Sequence, residues 1–354
     1  MADPGLPTKV AQALGGKMPA ELSRRVSAEV TWDIRVVCEV LPLNENDQTP
    51  LLQSTYRVLP ERGWDMVVCL TELPRQAHGR PLIADVSVSH GVALVSLPAL
   101  GWLGLQARAR DTVVDLVARM ARRALGADHG SSGQDRSLGR AAAEWLSPTR
   151  TVPSEYEEIE TYLALVGLRG RARLLVGMVR NNRPWRLVPS LSSATAAAAA
   201  AAAFGIFFAS VWGLADALSA WRLALINLVA VVAMAAWLGL YNGLLERPIG
   251  NQDRQLQPML NASTALTLLV GVACMYLLLF VLTLLAALVV ISPDFFQHSL
   301  RHPVSIADYA KLTWLTTSMG IMAGALGSSL DSEAAVRRAA YSKRMEQHRL
   351  RQDS

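Results

Sequence analysis

The chain has 354 residues, 51% of them hydrophobic and 18% charged, with a formal net charge of +5. A mean hydropathy of +0.25 is too high for an ordinary soluble protein, yet the charged fraction is too large for a chain lying wholly in lipid. Together these figures exclude a single soluble domain, a collagenous or disordered chain and a disulfide scaffold.

Residues 1–25 carry Asp3, Lys9, Lys17, Glu21 and Arg24 and show no apolar core, so they read as a flexible lead-in and not as a signal peptide. Residues 26–126 then read as a cytoplasmic α/β (or α+β) domain of order β-α-β-β-β-α. Glu29–Leu41 predicts a strand, and Asn44–Arg62 a helix with Leu51, Leu52, Tyr56 and Leu59 at helical spacing. Trp64–Leu70 predicts a short buried strand parallel to the first. Pro81–Val88 and Val92–Leu97 predict a hairpin about Ser89-His90-Gly91, and Leu103–Leu125 an amphipathic helix with an arginine-rich face. A Gly/Ser-rich linker is expected over 127–152, followed by a juxtamembrane amphipathic helix over 153–186. On that helix Arg169, Arg171, Arg173 and Arg180, with Trp185, are expected at the membrane surface.

Residues 187–330 change character. Asp, Glu, Lys and Arg are absent from Leu187–Ala215, Leu223–Leu245, Gln255–Pro293 and Leu312–Leu330. A helix crossing the hydrocarbon needs about 20 apolar residues. The pattern predicts an all-α region of four transmembrane helices, at about 190–214, 222–244, 263–291 and 311–330, before a basic tail over 331–354. Arginines precede the first span and basic residues follow the fourth, so the positive-inside rule places both termini in the cytoplasm and the protein in the plasma (inner) membrane, multi-pass. Cys38, Cys69 and Cys274 have no motif spacing and read as reduced core residues.

The search for chemistry is mostly exclusion. The helix RDTVVDLVARMARRA holds no histidine, so the zinc-hydrolase pattern H-E-x-x-H is missing from it. No G-x-x-x-x-G-K-[ST] and no G-x-G-x-x-G between strand and helix occurs. Ligands in open α/β sheets bind beyond the carboxyl ends of parallel strands, which makes Asn44, Glu45, Thr71, Glu72 and the hairpin residue His90 the candidate ligand-binding residues. Asp85, Ser87, Ser89 and His90 share a stretch but lack a nucleophile elbow. Gly239 and Gly243 in the second span, and Gly320 and Gly324 in the fourth, have the spacing that lets helix backbones approach closely.

The stretches WDMVVCLTELP (64–74), SHGVALVSLPALG (89–101) and GMVRNNRPWRLVPSL (177–191) resemble a family of uncharacterised bacterial membrane proteins. The resemblance implies a small cytoplasmic α/β N-terminal domain joined to a multi-span C-terminal half. Some relatives carry a methylene-tetrahydrofolate dehydrogenase label, but the catalytic lysine motif and nucleotide-binding glycines of that enzyme are not found in this chain.

The expectation is a cytoplasmic ligand- or partner-binding module anchored by four helices. An enzyme with its site at the sheet rim and a permease or channel subunit with an uncharged path are the alternatives. No recognisable catalytic motif, no cofactor, no metal site and no nucleic-acid partner are expected. The partners implied are the lipid bilayer and a second copy or another membrane protein.

Overall fold

A computed structural model describes residues 1–40, 59–77, 80–124, 149–153, 161–165, 167–244 and 257–330. The chain divides into two compact units, with Met1–Asn181 in the first and Asn182–Ser342 in the second.

The first unit opens with two helices, α1 (Leu6–Gly15) and α2 (Met18–Arg25). This corrects the expected flexible lead-in. The charged residues there mask an apolar stripe: Val10, Leu14, Met18 and Leu22 recur every four residues and are buried. Ahead of α1, Met1–Asp3 lies along strand β1 (Val67–Thr71), with Asp3 N–H donating to Leu70 O at 3.0 Å and Leu70 N–H to Met1 O at 3.0 Å. The other edge of Ala2 bonds to Val37 and Glu39. The strand expected over 29–41 is therefore reduced to a bridge at Cys38, because the N-terminal residues occupy the edge of β1 it was to share.

The sheet is mixed, in the order β1-β4-β3-β6-β5, with β2 (Arg75–Ala77) also pairing β3. β3 (Arg80–Ser87) and β4 (Val92–Ser96) form the expected antiparallel hairpin. Gly91 allows the turn: its φ is +64° and a Cβ would stand 2.7 Å from Asp65 O. β4 runs parallel to β1, Val67 opposite Val92, and every residue of β4 is buried. Helix α3 (Leu105–Ala124) matches expectation within a few residues and buries Ala109, Leu116, Val117, Met120 and Ala121.

Two further strands, β5 (Thr149–Pro153) and β6 (Thr161–Leu165), pair with each other, and β6 pairs β3. They correct two expectations. The sheet does not end at residue 126, and within the amphipathic helix expected over 153–186 residues 161–165 are strand while Gly167–Asn182 form a helix, α4. Tyr162 and Leu163 fit a helical period as well as a strand, and pairing with β3 decides between them. Most of the 127–152 linker and most of the Asn44–Arg62 helix lie outside the described residues, as does the 331–354 tail.

The second unit is helical: α5 (Leu187–Ser190), α6 (Ser192–Phe207), α7 (Ala209–Ala217), α8 (Ala220–Tyr241), α9 (Gln257–Val290), α10 (Pro293–Leu300) and α11 (Ile306–Gly327). Among the described residues two helices, α8 and α9, are long and apolar enough to cross a membrane. A third span is counted if Gly167–Ser190 and Ser192–Phe207 are taken together as one broken helix. The expected first span breaks at Phe208, whose backbone is extended. The expected fourth, α11, is long enough but carries a row of hydroxyl residues, with Thr313, Thr316, Thr317 and Ser318 fully buried. It packs against α6, α8 and α9.

Candidate functional site

The described rim residues are taken up by the chain itself. Thr71 is buried at the end of β1 and donates its hydroxyl to Asp3 Oδ2 at 2.7 Å. Glu72, also buried, accepts the Leu6 N–H on Oε1 at 2.9 Å, placing a carboxylate at the N-terminus of α1 where backbone donors lack partners. Asn44 and Glu45 lie outside the described residues. His90 sits exposed in the hairpin turn, its Nδ1 at 2.9 Å from Ser87 Oγ and 3.0 Å from Ser89 Oγ. This pair does not extend to Asp85, which is bound to Arg75 at 2.9 Å, and Ser87 is fully buried. A buried hydroxyl cannot attack a substrate, so the three residues do not form a relay.

The arginines of α4 separate into two groups. Arg169 and Arg171 are exposed, whereas Arg173 and Arg180 turn onto the segment after β4. That segment is a 3-10 turn, Pro98–Leu100, followed by Gly101 at φ +80°. Gly177 of α4 lies directly on the Pro98 carbonyl, an approach no side chain would allow. One turn on, Arg180 Nη1 donates to Gly101 O at 3.1 Å, and Asn181 Nδ2 donates to Glu72 O at 3.3 Å. Arg108 of α3 reaches the same place, donating Nη1 to Leu100 O at 2.9 Å. Arg108 was not singled out in the sequence, where its position among the polar residues of α3 gives no signal. In the second unit Trp185 is 49% exposed.

The small residues of the second unit form a close helix pair. A Cβ on Gly320 would stand 2.5 Å from Ala198 O, and one on Gly324 2.9 Å from Ala194 O. Gly327 meets Ala197, and Gly205 lies on the side chain of Thr316. The alanine run therefore serves as a groove, with Ala194, Ala198 and Ala202 buried one turn apart. Gly239 has a looser contact, Leu268 Cδ1 at 3.4 Å, and Gly243 adopts φ +56° after the end of α8.

A polar cluster that the sequence did not reveal joins α7, the α10–α11 connection and α11. His302 Nε2 stands 3.1 Å from Asp216 Oδ2, and Lys311 Nζ stands 3.7 Å from Asp216 and 3.8 Å from Asp308. Asp308 Oδ2 also accepts the Ser305 N–H and hydroxyl at 2.8 and 2.9 Å. Ligand-type atoms of Asp216, His302 and Asp308 lie within 4.8 Å of one another. Lys311 already supplies a cation to both carboxylates, so the arrangement is an ion-pair knot.

The Pro303 carbonyl on Nδ1 and the Asp216 carboxylate raise the His302 pKa above the usual imidazole value. Burial pushes Asp308 up, but the Ser305 bonds and the nearby cations outweigh it and hold its pKa below the usual carboxylate value. A raised histidine contributes stability at pH below about 6.5, lost as pH rises through the folded pKa; a lowered aspartate contributes above about pH 4, lost as pH falls. Both contributions are complete between these limits. His302→Gln is therefore expected to lower the melting temperature most near about pH 5.5 to 6, with a difference from wild type that shrinks as pH rises through the raised imidazole pKa. A difference independent of pH would show that the imidazolium has no part in the knot.

Comparison of the chain with protein-family models, curated proteins and solved structures finds no match in any of the three.

Proposed function

We propose that this protein is a multi-pass membrane protein of the inner membrane whose first unit is a cytoplasmic binding module, anchored by a four-helix second unit. The observation that carries the reading is the pair α8 and α9, charge-free over a bilayer thickness from Leu223 on α8 and along all of α9. Their apolar side chains Leu225, Leu228, Val229, Leu240, Leu277, Leu282, Leu285 and Val289 remain at least 50% exposed. An exposed aliphatic belt of this extent needs lipid or a partner to cover it. α6–α7 and α11 complete the four-span count, α11 held by its close packing on α6 and not by its hydropathy. The described rim residues Thr71, Glu72 and His90 have internal partners, which favours a partner-binding surface over a small-molecule pocket.

The test is accessibility of single cysteines in a chain freed of Cys38, Cys69 and Cys274. A membrane-impermeant thiol reagent applied from outside should label position 298 and leave positions 29 and 343 unmodified until the membrane is opened. Labelling of 343 from outside without labelling of 298 would overturn the four-span topology.

One observation favours a second reading, a subunit passing an uncharged solute. The hydroxyls of Thr313, Thr317 and Ser263 are buried without a hydrogen-bond partner among the described residues. Glycerol entry into proteoliposomes that is slowed by Thr313→Val or Thr317→Val would support it; no entry above empty liposomes would exclude it.

A further inference from the structure

The basic corner of the first unit has more donors than its own residues satisfy. Arg108 Nη1 and Arg173 Nε lie 3.2 and 3.6 Å from the position a Cβ would take on Gly101, and Arg180 Nη1 donates to the carbonyls of Gly101 and, at 3.4 Å, Trp102. Three guanidinium groups from two helices thus meet on one glycine. Arg173 Nε and Arg180 Nη2 are buried from solvent and have no hydrogen-bond acceptor among the described residues. A buried charged donor without an acceptor loses its hydration with no hydrogen bond in return, and the like charges repel one another besides. The acidic group that acts on Arg180 is Glu72, whose Oε1 is engaged at α1.

From this the geometry points to an anion site: Arg108, Arg173 and Arg180 bind a phosphate group, monoester or diester, at the Gly101 corner. Guanidinium forks match phosphate oxygens in pairs of charge-assisted hydrogen bonds, and a phosphate entering between the half-buried side chains, with a shift of their rotamers, would supply the acceptors that Arg173 Nε and Arg180 Nη2 lack. It would also relieve the repulsion. Gly101 is required because at φ +80° a side chain is strained and a Cβ would stand 3.0 Å from Arg173 Cγ, crowding the guanidinium groups. Beside the site, Trp102 and Leu103 are 39% and 76% exposed on a loop closed by Gly104 at φ +65°. An indole and a leucine next to a phosphate site suit the glycerol and upper acyl region of a phospholipid as well as a soluble phosphate ester. The site lies wholly within the first unit and does not depend on the membrane reading.

Full-length protein in a neutral detergent would be titrated with inorganic phosphate at constant ionic strength, and reconstituted in phosphatidylcholine nanodiscs with and without phosphatidic acid. The readouts are the thermal midpoint and the phosphorus NMR linewidth, the second needing no variant. A rise in midpoint with inorganic phosphate but not with chloride, or line broadening by the wild-type chain, identifies a soluble phosphate ligand. A response confined to phosphatidic acid identifies the lipid headgroup. In either case Arg173→Gln and Arg180→Gln are expected to weaken binding about tenfold or more. Arg173→Lys keeps the charge without the fork and should fall between. Arg169→Gln, on the exposed face of the same helix, should leave it unchanged. No response to either source overturns the proposal, and so does an equal loss in Arg169→Gln, which would mark general charge attraction.

Discussion

Arg75→Met is expected to destabilise the first unit by about 3–5 kcal/mol, the usual consequence of removing one partner from a buried ion pair. Asp85 has no exposed side-chain area and stands on β3, opposite Leu94 of β4 and Tyr162 of β6. Its Oδ2 takes both Arg75 Nε at 3.0 Å and an Nη at 2.9 Å, while Oδ1 has no partner among the described residues. Without Arg75 a carboxylate is left in the middle of a sheet. Net stabilities run about 5–15 kcal/mol, so such a loss is a large part of the whole. Denaturant melts of the full chain in detergent, followed by tryptophan fluorescence, would measure it. Arg75→Met combined with Asp85→Leu should recover most of the loss, because two apolar groups need no charge partner. A loss below about 1 kcal/mol in the single variant would mean that Asp85 reaches water or another cation.

Gly320→Leu should have the largest effect in the second unit. The α6–α11 contact leaves 2.5 Å between a Cβ on Gly320 and Ala198 O and 3.2 Å between it and Ala202 Cβ. Neither obstacle is a flexible side-chain end. The helices must separate, and dispersion contacts are lost along Gly324 and Gly327 as well. Overpacking of this kind costs about 1–3 kcal/mol and more where backbone must move. Ala198→Leu should act in the same direction from the other helix. Gly213→Leu is the control, since nothing lies within 4 Å of a Cβ there. Equal thermal midpoints in detergent for Gly320→Leu and Gly213→Leu would show that the small-residue contact contributes nothing.

The parts of the fold legible in the sequence are those whose apolar pattern has one period and one interpretation. The β3–β4 hairpin follows from two apolar runs about a glycine turn. Helix α3 follows from its buried stripe, and α8 and α9 from uninterrupted aliphatic sequence. Other elements were ambiguous or hidden. In α1 and α2 the buried residues are spaced between charges that faced solvent in any reading. Residues 161–165 have apolar positions compatible with either period, and the vacant edge of β3 assigns them to the sheet.

The candidate site was legible only as residue types. Thr71 and Glu72 were placed at a strand end from sequence, but sequence could not show that residues 1–6 would close over them. Arg173 and Arg180 were read as membrane-facing, with Arg169 and Arg171, because helical position alone does not distinguish an arginine in water from one folded onto a glycine carbonyl. Arg108 and the Asp216–His302–Asp308–Lys311 knot draw on residues far apart in the chain, and spacing carries no information about such meetings.

By itself the sequence determined the division into a charged sheet-bearing half and an apolar helical half, since burial against water or lipid depends on local composition. Tertiary structure alone decided which polar groups spend their hydrogen bonds inside the fold and which are left with donors unmet. That outcome depends on distances between segments many residues apart, and at Gly101 it leaves two buried arginine nitrogens without an acceptor among the described residues.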